Sequence, residues 1–167
     1  MKTITTLLSV FVTDLAAYNE GILRGEWLDL PCSEDDLNDC IERVTLGEDH
    51  EIFITDFESD LGIKVGEYEN IYELNEKLGD IDENDYELIA AYLEAVSDDL
   101  EEAIENAPNC VMYSVDSLVD LAYEFVEEGL FGDIPESIAN YIDYDAIARD
   151  LGYDSYYETS YGVLQTN

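Results

Sequence analysis

Carboxylates are the side chains of this sequence that could do the most chemistry, and they are densest in "SDDLEEAIENA", residues 97–107. That segment holds five Asp and Glu and no base, and residues 78–148 hold twenty Asp and Glu with no Lys, Arg or His. If residues 97–107 form a helix, it carries roughly one charge per 3 Å of axis. One strand of B-DNA carries a phosphate per about 3.4 Å. This spacing suggests phosphate imitation, although any densely acidic, solvated helix would share it.

Catalytic and metal chemistry have little support. A Ser-His-Asp or Cys-His arrangement would depend on His50, the only histidine, which we interpret as a satisfied or solvated side chain. With 42 acids some carboxylate pair always has the spacing of a glycosidase, so such pairs carry no information. "DIDENDYEL" begins like an EF-hand loop at Asp80, but Asp85 stands where Gly is needed and Ala91 where Glu is needed. We therefore predict a protein that is not an enzyme and has no metal site and no cofactor.

Composition favours a folded protein with a basic partner. The 167 residues include 42 acids and 6 bases, giving a net charge of -36, yet 47% of the residues are apolar, unlike a disordered acidic tail. Such a field repels nucleic acid and anionic membranes and attracts basic protein surfaces. The three cysteines have neither metal-type spacing nor an even count, which indicates reduced thiols and a cytoplasmic location.

The first region, residues 1–60, reads as a small sheet with one helix. Alternating and β-branched residues predict strands at 3–14 and 25–31, with "AYNEG" as the turn between them. Ser33 is a good N-cap for a helix with apolar residues at helical spacing. A strand at 51–58 completes the unit.

The other two regions contain more helix. Residues 61–107 read as a purely helical domain with acids between its apolar faces, and Pro108 marks the next boundary. In residues 108–167 we predict a strand at 110–113, then a helix that stops at Gly129. A short helix after Pro135, a helix ending at Gly152 and a closing hairpin should follow.

The exposed positions of these helices supply the candidate phosphate-mimicking acids. They are Asp82, Glu83, Asp85, Glu87, Glu94, Asp98, Asp99, Glu101, Glu102, Glu105, Asp120, Glu124, Glu127 and Glu128.

Two segments, "YNEGILRGEWLDLP" (18–31) and "GLFGDIPESIANYIDYDAIARDLG" (129–152), closely resemble characteristic segments of the ArdA family of antirestriction proteins. The matching residues of the first are Tyr18, Asn19, Glu20, Gly21, Gly25, Trp27 and Pro31. Those of the second, the antirestriction motif, include Gly132, Asp133, Ile134, Pro135, Glu136, Tyr141, Asp143, Tyr144, Asp145, Arg149 and Asp150.

This resemblance implies a function and an architecture. It implies a protein that mimics B-form DNA and occupies the DNA-binding groove of Type I restriction-modification enzymes, at their methyltransferase core. It also implies an α+β fold, in an elongated, curved row of three small domains: a small sheet with helix, a helical bundle and a mixed α/β unit. A homodimer is expected, and we place its interface near Leu121, Phe125 and Tyr141.

Two other interpretations stay open at this point. An acidic chaperone or scavenger would shield many basic DNA-binding proteins with similar strength, whereas a DNA mimic should prefer enzymes whose groove fits it. Halophilic adaptation would also give few lysines, but the retained Ile, Leu and Tyr content argues against it.

Overall fold

The computed structural model describes residues 4–166, which divide into two compact units. The first unit ends at Tyr86 and the second begins at Glu87. This division falls inside the 61–107 segment that was predicted as a separate helical domain, and the three-domain organisation stays a prediction. Helices and antiparallel strands occur in both units, so the fold class is α+β. None of the helices among the described residues combines the length and apolar character needed to cross a membrane.

A three-stranded antiparallel sheet forms the centre of the first unit. Its strands, in the order β2-β1-β3, are β1 (Leu8–Asp14), β2 (Gly25–Leu30) and β3 (Ile52–Glu58). The helices of the unit are α1 (Leu15–Asn19), α2 (Glu34–Thr45) and α3 (Ile71–Gly79). Alternation along β1 buries Leu8, Val10 and Val12 completely, and the apolar side of α2 lies buried with Leu37 and Cys40. The predicted sheet with one helix is therefore present, with two further helices.

The helix starts follow local hydrogen bonding. The Ser33 side chain accepts a hydrogen bond from Asp36 N at 3.1 Å and begins α2, as predicted. The "AYNEG" segment was predicted as a turn, but its first three residues belong to α1, because the Asp14 carboxylate accepts from Ala17 N at 3.2 Å. The first strand starts at Leu8, later than predicted; residue 3 lies outside the described residues.

The second unit combines four helices with a second sheet. The helices are α4 (Tyr86–Ala95), which starts at the last residue of the first unit, α5 (Leu100–Asn106), α6 (Leu118–Glu127) and α7 (Tyr144–Tyr153). The strands, in the antiparallel order β4-β6-β5, are β4 (Val111–Tyr113), β5 (Tyr156–Thr159) and β6 (Gly162–Gln165). The predicted closing hairpin is β5 and β6, and α6 packs against α7.

The core of this unit contains two of the residues that were placed at a dimer interface. Leu121 (0% exposed) and Phe125 (6% exposed) pack against Val163 of β6, because α6 turns its apolar side toward the sheet. These two side chains are interior to the monomer, and the position of the dimer interface stays a prediction. Of the three residues placed at a dimer interface, only Tyr141 is exposed, at 84%.

Candidate acidic interaction surface

The second unit carries a surface of almost uniform charge. From Glu87 to the end of the chain there are nineteen Asp and Glu and a single base, Arg149. Each of the helices α4, α5 and α6 buries one apolar side, which includes Leu93, Ala103 and Phe125, and leaves most of its acidic positions exposed. A polyanionic surface is thus a direct result of burying the apolar side of each helix.

The structure distributes the fourteen candidate acids between the two units. Asp82, Glu83 and Asp85 lie at a 3-10 turn (Glu83–Asp85) near the end of the first unit, and the other eleven belong to the second. Asp85 and Glu124 are partly buried. The remaining twelve are exposed: Asp82, Glu83, Glu87, Glu94, Asp98, Asp99, Glu101, Glu102, Glu105, Asp120, Glu127 and Glu128.

The densest acidic segment is less regular than the spacing argument assumed. Helix α5 begins only at Leu100, since Asp99 caps it by accepting a hydrogen bond from Glu102 N at 3.2 Å. Glu102 in turn accepts from the Tyr92 hydroxyl at 3.0 Å and from Ser97 Oγ at 2.7 Å. The assumption of one continuous helix over residues 97–107 was wrong. Asp99 and Glu102 remain exposed charges, but Asp99 also caps α5 and Glu102 also links α5 to α4.

Other carboxylates come together only in the folded chain. Glu94 of α4 accepts hydrogen bonds from Ser160 N at 2.7 Å and from Ser160 Oγ, which ties α4 to the turn between β5 and β6. An open cleft of about 600 Å³ beside this contact is lined by Glu94, Asp116 and Glu158. Sequence reasoning missed Asp116 and Glu158, because nothing in the local pattern brings β5 next to α4. Among residues 4–166 no group of three or more His, Cys, Asp or Glu is arranged to hold a metal ion.

Helix α6 places acids at both of its ends. Ser117 caps the start by accepting from Asp120 N at 3.1 Å, and Asp120 is exposed in the first turn. Glu127 and Glu128 are exposed at the other end, and the last turn contains no basic residue. Gly129 follows with φ of +78°, so it stops the helix as predicted. The macrodipole favours the carboxylate at the start and disfavours the two at the end.

The first part of the antirestriction motif, residues 129–143, forms an exposed segment between α6 and α7. Gly132 adopts φ of +92°, a 3-10 helix covers Glu136–Tyr141, and Pro135 precedes that helix. Leu130, Phe131, Ile138 and Tyr141 are exposed apolar or aromatic side chains in this segment. The segment therefore combines carboxylates with an exposed apolar surface.

The C-terminal part of the motif, from Asp143 onward, is fixed by a helix cap and by ring stacking. Asp143 caps α7 by accepting from Ala146 N at 3.0 Å. Tyr144 stacks on Tyr123 of α6 with ring centroids 3.7 Å apart and planes 15° apart. Within this part of the motif Asp145, Arg149 and Asp150 are exposed on α7. Asp143 and Tyr144 thus have structural roles in addition to any contact with a partner.

A buried ion pair in the first unit was not predicted. The Asp14 side chain is fully buried, with Arg24 Nη1 at 3.1 Å and His50 Nδ1 at 2.9 Å from its Oδ2 atom. Burial raises the pKa of Asp14, but the hydrogen bonds from His50 and from the Ala17 and Ala16 amides outweigh burial, and its pKa is below 3.8. The Asp14 hydrogen bond raises the pKa of His50 above 6.5. His50 is thus a satisfied structural residue, one of the two roles suggested by the sequence.

Comparison with known families decides the assignment. A family model for antirestriction protein (ArdA) matches residues 10–165, which includes both segments singled out in the sequence. The chain belongs to the ArdA family of antirestriction proteins. No curated protein matches the chain. ArdA membership implies an antirestriction function and interaction with restriction-modification enzymes.

Proposed function

We propose that this ArdA protein mimics B-form DNA and occupies the DNA-binding groove of a Type I restriction-modification enzyme at its methyltransferase core. The observation that supports this proposal most strongly is the second unit, with nineteen acids and one base, and with its candidate acids mostly exposed. A groove built to neutralise phosphates meets carboxylates there in place of DNA. The protein acts by binding alone and needs no catalytic residue, cofactor or metal ion.

The mechanism is competition for a basic surface. Lysines and arginines that contact the DNA backbone release counterions on binding, and carboxylates on this surface displace those counterions in the same way. Phosphate contacts supply much of the affinity of such enzymes but carry no sequence information, so base edges need not be imitated. Because many weak contacts share the binding energy, neutralising one carboxylate has a small effect on inhibition.

The architecture we propose extends this surface. The family resemblance supports three small domains in a curved row and a homodimer, and the three unpaired cysteines support a cytoplasmic location. Leu121 and Phe125 are buried in the monomer, so we place the contact between copies on the exposed apolar residues Leu130, Phe131 and Tyr141. Changing Tyr141 to Asp should then give monomers in sedimentation experiments.

An inhibition assay tests the proposed function. A purified Type I enzyme cleaves duplex DNA in the presence of this protein or of an unrelated acidic protein with similar net charge. Inhibition by this protein near one equivalent, with none from the control, supports DNA mimicry. Equal, weak inhibition by both would refute it and would favour an acidic chaperone or scavenger of basic DNA-binding proteins.

A further inference from the structure

A groove in the first unit brings aromatic rings and carboxylates together. It is open to solvent, has a volume of about 520 Å³ and is lined by residues 50–54 and 68–72, with Ile41 of α2. The first range leads into β3 and the second leads into α3. Neither the acidic helices nor the antirestriction motif contributes to it.

The groove is lined by one buried aromatic ring and two exposed tyrosine rings. Phe53 is buried, and Tyr68 lies stacked against it with centroids 5.8 Å apart and planes 18° apart. Tyr18 meets Phe53 edge-on at 5.2 Å. Tyr68 is nevertheless 72% exposed and Tyr72 is 44% exposed. Two tyrosines of the groove therefore present ring surface to solvent.

Local hydrogen bonds hold this groove in place. Ile54 N donates to the Glu67 carbonyl at 2.8 Å, which ties the segment before Tyr68 to β3. Asn70 caps α3 by accepting from Tyr72 N at 3.0 Å, and the Tyr72 hydroxyl donates to Asn38 Oδ1 at 2.7 Å. The rings are thus positioned before any partner arrives, which lowers the ordering cost of binding.

The charged residues that line the groove favour a cationic ligand. Glu51 and Glu69 are exposed carboxylates on the groove, whereas its basic residue, His50, directs Nδ1 toward the buried Asp14. A nucleic acid base could also stack on exposed tyrosines, but the carboxylates repel its phosphates. A cationic side chain instead gains from both the ring faces and the carboxylates.

We propose that this groove binds an arginine side chain on the basic surface of the partner enzyme. The planar guanidinium lies over the Tyr68 ring, and Glu51 or Glu69 accepts its hydrogen bonds. Arginine suits this site better than lysine, because its flat, weakly hydrated head group stacks on aromatic rings and offers several donors in one plane. The inference rests on the proposed function only in assigning the arginine to a restriction-modification enzyme.

A peptide titration tests the groove directly. The full-length protein is titrated with acetyl-Gly-Arg-Gly amide while NMR follows the ring resonances of Tyr68 and Tyr72, and the citrulline peptide serves as the neutral isostere. We expect saturable shifts with the arginine peptide alone. The variant Tyr68→Ala should bind about tenfold more weakly, the size of one partly desolvated cation–π contact, and Tyr68→Phe should bind like the wild type. Tyr153→Ala is the control at an exposed tyrosine of the second unit.

The results separate this inference from the proposed function. Absence of shifts, equal shifts with citrulline, or unchanged binding by Tyr68→Ala would each overturn the arginine site. If the peptide binds as expected but the wild-type protein does not inhibit the Type I enzyme, the proposed function fails and the arginine site stands. If inhibition is intact and the peptide does not bind, only the arginine site fails.

Discussion

Acids at the two ends of α6 should have different effects on stability, although their charge is the same. Glu127→Gln and Asp120→Asn each remove one exposed negative charge from the same helix. Glu127 lies in the last turn, where partially negative carbonyls are unpaired, and Asp120 lies in the first turn, where amide protons point outward. The pair of variants therefore separates the local helix-end interaction from the repulsion of the whole field.

The expected magnitudes follow from this placement. Removing a charge from an unfavourable helix end gains about 0.3 to 1 kcal/mol, and relieving the repulsion between Glu127 and Glu124 adds about 0.2 to 0.5 kcal/mol. Glu127→Gln should thus stabilise the unit by about 0.5 to 1.5 kcal/mol. Asp120→Asn loses a favourable interaction of about 0.3 to 1 kcal/mol but gains about 0.2 to 0.5 kcal/mol from reduced repulsion with Glu124. It should be close to neutral or destabilising by up to about 0.8 kcal/mol.

Native-state hydrogen exchange at low ionic strength measures this difference. The buried α6 amides, such as those of Leu121 and Phe125, should exchange several-fold more slowly in Glu127→Gln than in Asp120→Asn, since 1 kcal/mol corresponds to roughly a fivefold change. Salt should reduce the difference by screening. Equal stabilisation by both variants would refute the helix-end reasoning. Enzyme binding should weaken slightly and equally in both, because each removes one charge from the distributed surface.

Three further predictions concern the cores and the buried ion pair. Leu121→Ala should destabilise the second unit by about 2 to 5 kcal/mol in urea unfolding, because its side chain is fully buried. Gly162→Ala should be destabilising in the same assay, since a Cβ there would lie 2.5 Å from the Tyr113 carbonyl oxygen and φ is +138°; unchanged stability would contradict this packing. The ion pair between His50 and Asp14 should stabilise the first unit fully between the ordinary pKa values of Asp, 3.8, and His, 6.5. Its contribution should fall as pH rises through the raised pKa of His50, or as pH falls through the lowered pKa of Asp14. Urea unfolding followed by the fluorescence of Trp27, the only tryptophan, should show the high-pH loss, and His50→Gln should abolish it.

Local signals in the sequence predicted many of the elements. Ser33 as an N-cap, Gly129 as a helix stop and the closing hairpin are each confirmed, because each depends on chemistry within a few residues. The helix over residues 97–107 was wrong because Asp99 competes as a cap, which shortens α5. The exposure of most candidate acids was predictable, since a charged residue on the polar side of an amphipathic helix faces solvent.

Long-range features were not predictable in the same way. The interior position of Leu121 and Phe125 depends on which side of α6 faces the β4-β6-β5 sheet, and periodicity alone does not distinguish a core from an interface. The buried Asp14 joins residues from three separate chain segments, and no spacing rule links them. The aromatic groove likewise forms only when the start of α3 lies beside β3. These sites depend on tertiary contacts, which the sequence pattern does not specify.

The most direct test of DNA mimicry is equilibrium displacement. A purified Type I methyltransferase core is bound to labelled duplex DNA and titrated with this protein at fixed salt, at several DNA concentrations, alongside an unrelated acidic protein of similar charge. We expect complete displacement by this protein alone, with a midpoint that moves to higher protein concentration as the DNA concentration rises. Simultaneous binding of DNA and protein to the core, or equal displacement by the unrelated acidic protein, would contradict DNA mimicry.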